Sequence, residues 1–186
     1  MSDSARYAVF TCILFAASVA AGVVLTIGDP SVGTQLLDMF REAIPGEVIG
    51  SSGPVLAATL FFNNLQACLV MFLGGASFGI LTALVIVSNG FMIGSIVEIV
   101  RQQEGALYIA AALFPHGIFE IPAFIISGKL GFLLARSLWN EWSLRGDAAA
   151  DASRMGRTFL LFVVPLVLLA AFTEAFITPE IIASVA

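Results

Sequence analysis

His116 and Glu120 are the residues of this chain best placed to do chemistry: they stand four apart in the stretch Leu113 to Gly131, LFPHGIFEIPAFIISGKLG, which is otherwise strongly apolar. On a helix that spacing puts both side chains on one face, and an ionisable residue at membrane depth is by default a functional candidate. An imidazole beside a carboxyl can relay a proton, bind a cation, or serve as a base or metal ligand. Low dielectric opposes a bare carboxylate, so Glu120 needs either a proton or a protonated His116 beside it. Pro115 and Pro122 lie seven apart on a shared face, and each frees the carbonyl four residues back, Ala111 and Ile118. The helix is therefore predicted to bend. Bent helices with polar groups at mid-depth build cavities in membrane proteins, and a buried structural hydrogen-bond network leaves the same trace.

Other polar residues interrupt apolar segments at comparable depth: Asn63, Asn64 and Gln66 in one, Asn89 in another. Interhelical hydrogen bonds worth about 0.6–2 kcal/mol each would explain one or two of them as glue. Four amides plus a His/Glu pair exceed what glue requires, so Asn63, Asn64, Asn89, His116 and Glu120 are expected to converge on one intramembrane centre. On this account His116 and Glu120 form one unit, with the asparagines donating and accepting around it. Gly75 to Gly79 and Gly90 to Gly94 are GxxxG spacings that let helix backbones approach and offer surface for an oligomer or another membrane protein.

The elements that position these residues follow from composition. The chain is 59% hydrophobic and 11% charged, with mean hydropathy +1.01, which fits an all-α polytopic membrane bundle forming a single domain. No charged residue lies between Glu47 and Glu98, a run long enough for two crossings of a core about 30 Å thick. Five transmembrane helices are predicted, at residues 7–27, 54–73, 76–97, 105–128 and 158–177. The first is too long for a signal-peptide core of about 7–15 residues and is expected to be retained. After Gly28, Asp29 and Pro30, the stripe Val32, Leu36, Phe40 and Ile44 opposes Asp38, Arg41 and Glu42, predicting an amphipathic helix in the bilayer interface; a solvated connecting helix is the alternative. Trp139 and Trp142 suit an interfacial anchor, and the small, polar run from Gly146 to Ser153 suits a mobile loop. In the last crossing Pro165 could kink the helix, and Glu174 falls near its end.

Charge sets orientation and excludes some partners. With the N-terminus cytoplasmic, Arg6, Lys129, Arg136, Arg145, Arg154 and Arg157 are inside and only Arg41 and Arg101 outside, so the basic residues favour N-in, C-out. A net charge of −5 argues against a nucleic-acid partner. Cys12 and Cys68 lie within apolar segments as packing residues, and with one histidine they cannot form an all-Cys/His zinc site; no metal and no cofactor is expected. No nucleophile, phosphate-binding or metalloprotease motif occurs.

FFNN (Phe61 to Asn64), the SNG at Ser88 to Gly90 with Gly94 following, and above all PHGIFEIPA (Pro115 to Ala123) resemble the signature of the stage II sporulation protein M family of integral membrane proteins. The resemblance covers Phe61 to Gly131 in motif and Tyr7 to Ile177 in layout. Carried over by position, it marks Asn63, Asn64, Asn89, Gly90, Pro115, His116, Gly117, Glu120 and Pro122; among these, Gly90, Pro115, Gly117 and Pro122 are expected to bend or closely pack helices. It implies a membrane component that works with two partner proteins in remodelling septal peptidoglycan, without being the hydrolase.

Three functions are thereby ranked. A non-enzymatic integral membrane scaffold or complex subunit, resting in the lipid bilayer and joined to copies of itself or to other membrane proteins, comes first. A transporter or channel subunit using His116 and Glu120 for a proton or cation comes second. An intramembrane enzyme with His116 as base or metal ligand comes last.

Overall fold

The computed structural model describes residues 2–43 and 53–185. They form helices α1 (Asp3–Gly28), α2 (Pro30–Ala43), α3 (Gly53–Leu73), α4 (Ile80–Glu104), α5 (Ala106–Trp142), α6 (Ala148–Thr158), α7 (Val164–Phe176) and α8 (Thr178–Ala183). No strand occurs among the described residues, and five helical stretches are long and apolar enough to cross a membrane. The predicted all-α bundle of five crossings is what the chain forms.

Close contacts fix the directions of the crossings. Gly90 sits against Phe15 and Ser18, and Gly94 against Val19, so α1 and α4 run parallel. Gly128 meets Thr11 further along α1, Phe132 packs on Phe10 and Tyr7, and Arg136 reaches Asp3 at 3.0 Å, so α5 runs against α1. Phe72 stacks on Phe159, and Gly53 meets Phe176, so α3 and the last crossing are antiparallel. A meandering bundle results, with α1 and α4 joined as one seam and α3, α5 and α7 forming the other half. That half is filled by Cys68, Phe72, Ala123, Leu130, Leu134, Phe159, Val163 and Val167.

The α1/α4 seam is closed by small residues. A Cβ on Gly94 would strike the Val19 carbonyl, and one on Gly22 the Phe91 carbonyl. Ser95 uses this proximity to donate its hydroxyl to the Gly22 carbonyl at 3.3 Å. Both GxxxG spacings are therefore consumed within the chain: Gly90 and Gly94 face α1, Gly75 faces the Gly131 carbonyl, and Gly79 faces Phe132. They do not supply free surface for an oligomer.

Several boundaries differ from the sequence expectation. The third crossing starts at Ile80, because Gly74–Ser77 form a 3-10 turn and Phe78 and Gly79 then adopt left-handed backbone, with φ of 55° and 86°. Gly79 supplies the conformation that side chains resist. α5 runs on to Trp142 through Pro115 and Pro122 without a break in helix. Its 37 residues span about 55 Å, well beyond a bilayer core. Exposed Trp139 and Trp142 lie in the last turn of this helix. The stretch from Gly146 to Ser153 is mostly helix rather than a loop. Asp147 caps α6 by accepting the Ala150 amide at 2.9 Å, Ala148 is buried, and the Ser137 hydroxyl donates to Asp151 at 2.8 Å. Phe159–Val163 form a π turn between α6 and α7.

α2 starts at Pro30, two residues earlier than its predicted stripe, with Asp29 accepting the Ser31 amide at 3.0 Å. It docks through Gly33 and Leu37, not through Val32, Leu36 and Phe40. Gly33 lets the backbone settle on Ile99 and Thr26, which turns that line inward and leaves Met39 and Phe40 exposed. Ile44 lies outside the described residues.

Candidate functional site

The α3/α5/α7 group holds three ionisable side chains in largely apolar surroundings. His116 is buried on α5, and its Nε2 lies 3.9 Å from Glu120 Oε2, one turn further along the same face. Glu174 of α7 comes to the same point, so that one ligand-capable atom from each of His116, Glu120 and Glu174 lies within 4.8 Å of the others. Both glutamates are half-buried. The imidazole makes no hydrogen bond among the described residues: 3.9 Å is beyond hydrogen-bond range, and Nδ1 is buried without a partner. A buried donor or acceptor left unpaired is costly, by about 1–3 kcal/mol, and such groups mark places where something else is accommodated.

The i, i+4 reading of His116 and Glu120 thus matches the geometry, whereas the amides do not join them. Asn63 is exposed and donates to Asn64 Oδ1 at 3.5 Å, the limit of a hydrogen bond. Asn89 donates to the Val85 carbonyl of its own helix at 2.9 Å. Among the described residues, no hydrogen bond links these three asparagines to His116 or Glu120. The helix already offers Asn89 a local acceptor, and Asn63 turns out of the bundle. Of the glycines, Gly90 is a close-packing position, with a Cβ there falling 2.8 Å from Ser18 Cβ. Gly117 is not: a Cβ there would meet only Ile121 Cδ1, at an ordinary 3.8 Å.

Glu174 was the residue that the sequence could have flagged. It is the one charged side chain between Arg157 and Glu180, and an intramembrane carboxylate is a functional candidate by the same rule that singled out Glu120. Its partner could not be read, because the contact joins α5 and α7 through space.

A second polar cluster lies where α1 and α5 end together. Arg136 reaches Asp3 at 3.0 Å, and Arg6 stands 4.0 Å from the same carboxylate. These exposed pairs are screened and contribute little to stability, but they bring the N-terminus to the end of the bundle that carries the basic fourth connection.

The fold and this centre define a polytopic helical membrane protein with a buried imidazole and two half-buried carboxyls between its crossings. The chain belongs to the Stage II sporulation protein M family, whose sequence profile matches residues 11–179. It is also 32% identical over 130 residues to an uncharacterized protein of Methanocaldococcus jannaschii, a match covering 66% of this chain and 71% of that one. No solved structure matches the chain.

Proposed function

We propose that this chain is a non-enzymatic integral membrane subunit that holds other membrane proteins in place, with its N-terminus in the cytoplasm and its C-terminus outside. The observation that carries the proposal is on α3. Asn63 and Gln66 are exposed and stand one turn apart on the outward surface of this helix. Asn63 is ten residues from either end, about 15 Å along the axis, and so near the middle of the bilayer. Side-chain amides facing hydrocarbon are satisfied by hydrogen bonds across helices, and Asn and Gln drive such association. A neighbouring transmembrane helix carrying amides or hydroxyls, on a second copy or another membrane protein, fits this face. The orientation is supported by Arg6 and Arg136 meeting around Asp3, which gathers the basic residues at one end.

Disulfide crosslinking tests the assembly. In a chain with Cys12 and Cys68 replaced by alanine, cysteine at Asn63 should crosslink in native membranes and cysteine at Val9, on the exposed side of α1, should not. Equal or absent crosslinking at both would refute the docking face. Accessibility labelling of the Arg145 to Arg157 connection from outside the cell would overturn the orientation.

A transporter or channel subunit is the second reading, and the ionisable centre favours it. Proton or cation flux into liposomes that is lost in Glu174→Gln would support it over the scaffold.

A further inference from the structure

We propose that His116, Glu120 and Glu174 bind a divalent transition-metal ion, of the Zn(II) or Mn(II) kind, between α5 and α7. The three donors already converge within 4.8 Å. Ligands on one such ion, at bonds of about 2.0–2.2 Å, stand about 3–4 Å apart, so rotations moving each side chain by under about 1 Å complete the set. His116 and Glu120 supply the i, i+4 pair that one helix face can offer a metal, and Glu174 closes the site from the neighbouring crossing.

Two further observations point to a cation. His116 is buried, and its Nε2, which faces Glu120 at 3.9 Å, makes no hydrogen bond among the described residues, although a buried imidazole not engaged by a ligand ordinarily finds one. The centre also brings two carboxyl groups within reach of one point beside that imidazole, a donor set that a cation can bridge. A dication matches two carboxylates and a neutral imidazole with no net charge left over. One nitrogen and two carboxylate oxygens suit Zn(II), Mn(II) or Fe(II) more than Mg(II) or Ca(II), which prefer all-oxygen sites. Three protein ligands leave at least one position for water or another donor. The ion would tie α5 to α7, and the inference does not depend on the docking face of α3.

The test uses the full chain in lipid nanodiscs, stripped with chelator and dialysed against Zn(II), Mn(II) or Mg(II). One Zn(II) or Mn(II) per chain is expected, with affinity at least about tenfold weaker in Glu174→Gln and retained in Glu174→Asp. Absence of stoichiometric binding, Mg(II) binding as tightly as Mn(II), or undiminished binding in the His116→Ala/Glu120→Gln/Glu174→Gln variant would overturn the proposal. Pulsed paramagnetic resonance of the Mn(II)-loaded wild type gives a readout that needs no variant. A single imidazole nitrogen coupling is expected, and its absence would refute His116 as a ligand.

Discussion

The two halves of the bundle are held together in different proportions of backbone and side-chain contact. Along α1 and α4 the backbones touch, Gly22, Gly90 and Gly94 each lying under atoms of the facing helix, and Ser95 bonds directly to a backbone carbonyl. Between α3, α5 and α7 most of the contact is made by side chains, from Cys68 and Phe72 to Val163 and Val167, and the backbones approach closely only towards one end, where Gly131 lies under the Met71 carbonyl. A backbone seam has no room for a functional group. The side-chain half keeps helices far enough apart to hold an imidazole and two carboxyls among them, so rigidity and chemistry are divided between the halves.

The largest expected effect lies in the seam. Gly94→Val would drive side-chain atoms into the Val19 backbone, where nothing flexible can yield, and should cost at least about 3 kcal/mol. Loss of the folded species in detergent-denaturation titrations is the measurement. A mild effect would mean that the seam can slide, and the contrast between the halves would collapse.

Next comes the centre. His116→Ala and Glu120→Gln should each impair function or assembly, and the double substitution should do little more damage than the worse single one, with a coupling of about 0.5–3 kcal/mol. Double-mutant cycles extended to Glu174→Gln sharpen the picture, since the structure makes it a third member. Independent, additive effects would show that the three side chains are neighbours without being a unit.

Gly117→Ala should be close to neutral, or stabilising by up to about 1 kcal/mol through helix propensity, because its Cβ position is open. Set beside Gly94→Val in the same titration, it asks whether glycine matters by surroundings or by family position.

The smallest effect concerns α2. The Ser31 hydroxyl and then its backbone amide hold the exposed Asp29 carboxyl below its ordinary range. Since the folded value is depressed, the contribution is complete above about pH 4 and disappears as pH falls through the lowered folded value. Hydrogen exchange in the first turn of α2 should quicken there, and Asp29→Ala should show the fast rate at neutral pH. A seam unaffected by either change would confirm that α2 is an accessory to it.

Much of this fold was legible because lipid-spanning helices announce themselves as long apolar runs. Its edges were not, since lengths were measured against a bilayer: α5 carries on past Lys129 to Trp142, and α6 forms from residues that look like a loop. The helix after Pro30 was visible, but its inward line was hidden by Gly33, a residue with no hydrophobic signature. In the centre, a spacing of four sufficed to pair His116 with Glu120. Glu174 needed the packing of two crossings, and the asparagines misled because a helix carbonyl satisfies Asn89 as well as a distant imidazole would.

The π turn at Phe159–Val163 adds a phase to this. Each residue turns an α-helix by about 100°, so a wider turn that takes in one extra residue resets the azimuth of everything after it. Glu174, which converges with His116, lies downstream of that offset. Deleting one residue between Phe159 and Val163 would let the segment relax to plain α-helix and swing the carboxylate about a quarter-turn around the barrel of α7. All three side chains would survive in the sequence, and the centre would be gone. A one-residue deletion 11 to 15 positions before Glu174 would thus remove the polar centre while leaving each of its side chains in the sequence.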